Sequence, residues 1–352
     1  MKKKLNIIAL FCMILLVILL LSSCYYHPSQ QVSEIKVNSI ENHFFTLDLK
    51  DDNCSMSDVE NYFFTTFPHN DPTLGNVVYD RQQWTNENMI QLKKGDGLYL
   101  YIKKRDDNAN FDSFRLTSKP YYNLNENTDR LLFVFKGKFP SAKGVWPAWW
   151  LNGSEQDAWT YKNSESVKTD TDLDKYSGKG PFHSTPSPVN STDWPGAGEI
   201  DIIENINGEK IIHNTIHTCP NMCDSEWNRD GKIINCANAK PEDPNSGCSG
   251  EPYLIDTPEG TFACLWEQNS LKFYYWSPEM EVDAKGGPLS NKPDPERWTS
   301  DVLKNEVRLL ETEAGCDEKK HKKWQCENCR SSNTCVFKNM KMIFNITLCG
   351  IW

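Results

Sequence analysis

Three carboxylates crowd the six residues Glu199-Ile200-Asp201-Ile202-Ile203-Glu204. The isoleucines between them are β-branched and favour strands, and a strand sends alternate side chains to opposite faces. Glu199 and Asp201 therefore share a face. Glu204 has the wrong parity, because a regular strand would put position 203 beside them. One extra residue, a β-bulge among Ile202, Ile203 and Glu204, returns Glu204 to the acidic side. The expected result is a row of three carboxylates on one face, with isoleucines packed into the core behind it. Like charges that close raise the pKa of at least one member, which suits acid/base work. A pair of carboxyl groups is also what cleavage of a glycosidic bond requires. An acidic, solvated strand face would show the same six residues, so the flanking sequence has to decide.

The rest of the chain supplies the strands that must hold such a row. Short apolar runs recur from Phe44 on, at 97–102, 129–135, 210–213, 261–266, 271–276 and 340–345. Their lengths and their β-branched and aromatic residues are strand-like. No long stretch of helical periodicity competes after residue 24. Many short strands punctuated by Pro, Gly and Asn indicate an all-β sandwich. Residues 160–193 and 224–252 are rich in Asp, Ser, Asn, Gly and Pro and read as loops, the first overhanging the acidic face.

The neighbouring segments are more specific. Gly144-Val145-Trp146-Pro147-Ala148-Trp149-Trp150-Leu151 lies upstream, and Trp194-Pro195-Gly196-Ala197-Gly198 runs directly into the acidic strand. Together with Glu-x-Asp-x-x-Glu they resemble glycoside hydrolase family 16, in its laminarinase or endo-β-glucanase branch. Weaker agreement follows in order at 71–79, 115–119, 215–218 and 345–350, so the resemblance covers roughly residues 42–352. It implies a concanavalin-like β-jelly-roll sandwich with a concave substrate groove. Three departures stand out. Ile351 replaces an Asp, Leu265 replaces an acid before Trp266, and the chain stops at Trp352 where the family continues. Inserts are expected at about 153–190 and 316–335. The expectation is a sandwich lacking its last strand or strands. A late strand at 342–348 would then lie in a sheet with an unpaired edge, and Cys349 would have no partner.

The same resemblance assigns roles. Glu199 is expected as the nucleophile, Glu204 as the general acid/base and Asp201 as the helper between them. Retention would need the two glutamate carboxyls about 5–5.5 Å apart. His217 is expected to face the acids, and Trp150 and Trp194 to be sugar platforms. Trp146 and Trp149 are expected to be packing, while Trp266 and Trp276 stay open. The activity implied is a retaining endo-β-glucanase acting on β-1,3 or mixed β-1,3/1,4 glucans. A cell-wall glucan transglycosylase and a non-catalytic glucan-binding protein are the alternatives. No cofactor and no metal are expected.

Composition bounds the partners and the compartment. The formal net charge is −10. With no basic stripe, nucleic acid is excluded as a partner, and a neutral glucan is preferred over an anionic polymer. A monomer is expected. Residues 1–24 carry Lys2-Lys3-Lys4 and then an apolar run, which reads as a secretory signal. Leu21-Ser22-Ser23-Cys24 also resembles a lipobox, and a signal anchor is the third option, so membrane anchoring through the N-terminus stays open. Residues 25–41 read as a polar linker and 42–352 as the catalytic domain. All three options place the protein outside the cytosol, secreted or at the cell surface. Of the 13 cysteines, those beyond the targeting segment read as disulfide partners. A zinc site at Cys316, Cys326, Cys329 and Cys335 is the lesser alternative. Glycosylation sequons begin at Asn53, Asn152, Asn190 and Asn345.

Overall fold

In a computed structural model of the chain, the residues described are 20–21, 45–46, 49–65, 69–70, 75–79, 89–105, 111–118, 122–124, 128–153, 198–217, 223–229, 232–235, 248–311, 337 and 340–350. The strands of the sandwich begin with β1 (Phe63–Thr65), β2 (Arg115–Ser118), β3 (Arg130–Lys138), β4 (Val145–Asn152) and β5 (Glu199–Glu204). They continue with β6 (Ile211–His217), β7 (Cys223–Arg229), β8 (Lys232–Asn235) and β9 (Cys248–Ser249). The last are β10 (Glu259–Glu267), β11 (Ser270–Trp276), β12 (Leu303–Glu311) and β13 (Lys341–Leu348).

Two antiparallel sheets result. One has eight strands in the order β9-β6-β5-β4-β13-β2-β1, the eighth being Tyr253–Leu254, which also pairs with β6. The other has six, in the order β3-β10-β11-β12-β7-β8. The α-helix of the described residues is the short Met56–Tyr62 segment just before β1.

Period-2 alternation decides what lies between the sheets. From the eight-stranded sheet come Leu116, Trp149, Leu151, Ile200, Ile216, Met342, Phe344 and Ile346. From the six-stranded sheet come Phe133, Phe135, Phe262, Cys264, Phe273 and Val307. The Trp149 ring, 1 % exposed, lies 5.9 Å from Phe344 and 5.4 Å from Phe135, centroid to centroid, so aromatic contacts tie the sheets together. The outer face of the six-stranded sheet is covered as well. Val134, Ala263, Leu265, Tyr274 and Trp276 pack under Val282, Leu289, Trp298 and Val302. The opposite, outer face of the eight-stranded sheet is the one that carries the acids.

Several expectations change. Strand β13 is no edge: it pairs with β4 on one side and β2 on the other. Residues 341–344 are buried in succession, on both faces, as an interior strand requires. Within the expected loop at 224–252, β7 and β8 are strands. They form by pairing in series onto β12, near a sheet edge where an apolar pattern is not required. Trp266 belongs to the core and Trp276 to the outer cluster. The thiol of Cys264 is free and fully buried, so this cysteine is a core side chain rather than a disulfide partner. Burial pushes its pKa up, which leaves it unreactive. The Cys349 thiol is also free. The linker, the remainder of the targeting segment, Trp194, the insert beyond residue 153 and the cysteine group at 316–335 lie outside the described residues.

Candidate active site

The acidic strand has the irregularity that its parity demands. Against β4, Asp201 pairs with Trp150 and Ile203 with Trp149, so Ile202 is an extra residue. Against β6, Asp201 pairs with Thr215 and Glu204 with His213, so Ile202 and Ile203 together oppose Asn214. The bulge turns Glu204 onto the face of Glu199 and Asp201, while Ile200, Ile202 and Ile203 are buried in the core. The row is itself sunk: Glu199 is 6 % exposed, Asp201 4 % and Glu204 8 %.

Each acid has its own surroundings. Asn152, opposite Glu199 on β4, donates from Nδ2 to Glu199 Oε2 at 3.3 Å. His217, opposite on β6, places Nε2 3.6 Å from Glu199 Oε1 and 3.4 Å from Asp201 Oδ2. At the other end, Trp146 Nε1 donates to Glu204 Oε1 at 3.1 Å. Trp150 borders the centre of the row. Its Nε1 donates to Asn345 Oδ1 at 2.7 Å, and Asn345 Nδ2 donates to the Tyr79 hydroxyl at 3.1 Å. The Arg115 guanidinium lies 4.8 Å from the centre of the Trp150 ring.

Electrostatics separates the three groups. Burial, first of all, pushes every one of them above the ordinary carboxylate range. Asp201 adds repulsion to both glutamates. Glu199 is pulled back down by His217 and Arg115, and Glu204 by the Trp146 N–H. Burial outweighs both pulls, so all three acids stay raised; the glutamates differ in that Glu199 has the basic His217 and Arg115 as neighbours and Glu204 a neutral N–H donor.

The structure brings together Glu199, Asp201, Glu204, His217 and Trp150. Trp149 is in the core as expected, but Trp146 is not packing: it is half-buried on the acid face and bonds Glu204. Strand parity would have revealed it, since 146 and 150 share a face of β4. Asn152 and Asn345 each begin a sequon. Asn152 is 0 % exposed, and both side-chain amides are engaged within the site, so neither is open to a glycan in the folded protein. Asn53 is exposed. Glu199, Asp201 and His217 also have ligand-type atoms within 4.8 Å of one another.

Comparison with known proteins identifies the family. The model of a family described as "XgeA-like, catalytic GH16 domain" matches residues 64–162 and 188–352, and its interruption falls in the insert between the two tryptophan segments. An endo-1,3(4)-beta-glucanase, xgeA, of Emericella nidulans is 24% identical over 309 residues, covering 82% of this chain and 37% of that protein. A probable glycosidase of Schizosaccharomyces pombe is 23% identical over 298 residues, covering 80% of this chain and 54% of that protein. The chain thus spans about a third to a half of the length of these curated relatives. The crystal structure of an elongating GH family 16 beta-1,3-glucosyltransferase superposes with a TM-score of 0.51 at 20% identity, covering 85% of this chain and 81% of that one. That likeness is one of fold and supports the jelly-roll sandwich.

Proposed function

The chain belongs to glycoside hydrolase family 16, and on that premise we propose that it is a retaining endo-β-glucanase acting on β-1,3 or mixed β-1,3/1,4 glucans. The observation that carries this reading is the bulged row, which brings two buried glutamates with different polar partners onto one face. Glu204, holding its proton, donates it to the glycosidic oxygen as the bond breaks. Glu199, whose charged form His217, Arg115 and the Asn152 amide favour against the effect of burial, attacks the anomeric carbon and forms a glycosyl-enzyme. Glu204, now a carboxylate, takes a proton from water, and that water releases the sugar with retention. Asp201 sits between them and holds the charge of the row in check. Trp150 and Trp194 serve as aromatic surfaces for the sugar rings.

The same glycosyl-enzyme can pass its sugar to another glucan instead of water. Product chain lengths from defined oligosaccharides separate transglycosylation from hydrolysis. A non-catalytic glucan binder would have no need of three retained carboxylates with matched partners. The basic-apolar segment at the N-terminus supports a site of action outside the cytosol, secreted or held at the cell surface.

The test is reducing-sugar release from laminarin and barley glucan by the wild type and by Glu199→Gln. The variant keeps the shape of the side chain and its hydrogen bond to Asn152 while losing the charge. It is expected to bind glucan like the wild type and to lose turnover. Full activity in the variant would remove Glu199 from the nucleophile's role.

A further inference from the structure

Behind the acid row, on the core side of the same strands, two asparagines join the sheets. Asn214 lies on β6 between Ile212 and Ile216, faces the core and is fully buried. It stands opposite the two bulged residues, Ile202 and Ile203. Its Nδ2 donates to the Ile202 carbonyl at 2.6 Å. That carbonyl belongs to the extra residue, so no residue of the neighbouring strands is in register with it. Asn214 Oδ1 in turn accepts from Asn305 Nδ2 at 2.7 Å. Asn305 is on β12, in the opposite sheet, and is 5 % exposed. It too sits at a break in register, where β11 and β12 slip between Phe273 and Tyr274. Asn305 Nδ2 also donates to the Glu251 carbonyl at 3.0 Å.

An apolar core has little reason to hold a chain of side-chain amides. Buried polar groups persist there when each is satisfied and when the network fixes one arrangement. Here the chain runs from an irregularity in one sheet to the carbonyl that defines the irregularity in the other. We propose that Asn214 and Asn305 are positioning residues for catalysis: they clamp the bulge from inside the core and so set the reach of Glu204. The bulge carbonyl and the Glu204 side chain are two residues apart on one short strand. A bulge free to rock would swing Glu204 relative to the glycosidic oxygen, while Glu199, before the bulge and held by Asn152, would stay in place.

This role rests on Glu204 being the acid/base group proposed above, and the experiment separates the two. Asn305→Leu takes away the cross-sheet support that orients the Asn214 amide on the bulge carbonyl, without touching the acid face. Two measurements are made on it. The first is native-state hydrogen exchange at the Ile203 and Glu204 amides, which needs no substrate; exchange there should quicken relative to β10 in the same variant. The second is kcat/KM on β-glucan and on a dinitrophenyl β-laminaribioside, whose leaving group departs without a proton. The variant should lose about tenfold or more on the glucan and less than about twofold on the aryl glycoside, because only the first depends on a well-aimed acid. Asn305→Ser, which keeps a donor in a smaller side chain, should recover part of the glucan activity, and it is read in the same way where the leucine variant does not fold. Equal losses on both substrates, or unchanged exchange at 203 and 204, would overturn the proposal. Wild-type inactivity on glucans would overturn the functional reading instead, leaving the exchange comparison to decide the clamp.

Discussion

Trp146 shows how much one hydrogen bond can matter at the residue scale. Its N–H reaches Glu204, which in the proposed mechanism holds a proton and then parts with it. Donation to a carboxylate stabilises the charged form, so it lowers the pKa that burial has raised. In Trp146→Phe that pull is gone and the Glu204 pKa rises further. The basic limb of the kcat/KM profile should then move to higher pH. The maximum should fall by about tenfold, since hydrogen bonds to charged groups contribute about 1.5–3 kcal/mol. A pH profile with an unmoved basic limb would show that the contact is idle. The sequence named the acids because their types and spacing are themselves the chemistry. It misplaced Trp146 because tryptophan suits a core and a cleft equally, and only counting parity from Trp150 separates the two.

At the scale of the element, β5 is an otherwise regular strand with one residue too many. Removing Ile202 leaves Asp201 opposite Trp150, Ile203 opposite Trp149 and Glu204 opposite Ala148, an unbroken register with all three acids on one face. A chain lacking Ile202 is therefore expected to fold and to keep activity well above that of Glu199→Gln, though below the wild type because the acid loses its tuned aim. Thermal melting and glucan hydrolysis check this, and a deletion variant as inactive as Glu199→Gln would show that the bulge does more than set parity. The bulge was legible in the sequence because three isoleucines and three acids cannot all be well placed without it. The clamp behind it was not, because Asn214 and Asn305 are 91 positions apart and meet only when two sheets close on each other. Strands β7 and β8 were hidden for a related reason: they pair in series onto a neighbour's backbone, and the mostly polar run of β7 and the four residues of β8 leave no apolar pattern long enough to read.

For the whole molecule, the buried acids set a conflict between function and stability. Carboxylates with raised pKa values bind protons more tightly folded than unfolded. Between the ordinary carboxylate range and the raised values, the folded state holds more protons, so stability falls as pH rises through that window. It is fully present below the unfolded values. Glu204→Gln should accordingly melt higher than the wild type at neutral pH, with the difference closing as the pH drops below about 4. Equal melting temperatures at both pH values would mean that the acids are ionised without cost in the fold. The overall architecture was legible from strand lengths and spacing, whereas the roof of Val282, Leu289, Trp298 and Val302 over the outer sheet was not, because it is loop sequence held by tertiary contact. The two asparagines sealed inside the site have a consequence for how the chain is made. Asn152 and Asn345 each begin a sequon, and a glycan added to either while the strands were still open would stay for the life of the protein, wedged against Glu199 or beneath Trp150. A ribosome feeding a glycosylating secretory pathway would thus start a race between strand closure and the transferase, one that synthesis in a compartment without the transferase never has to run.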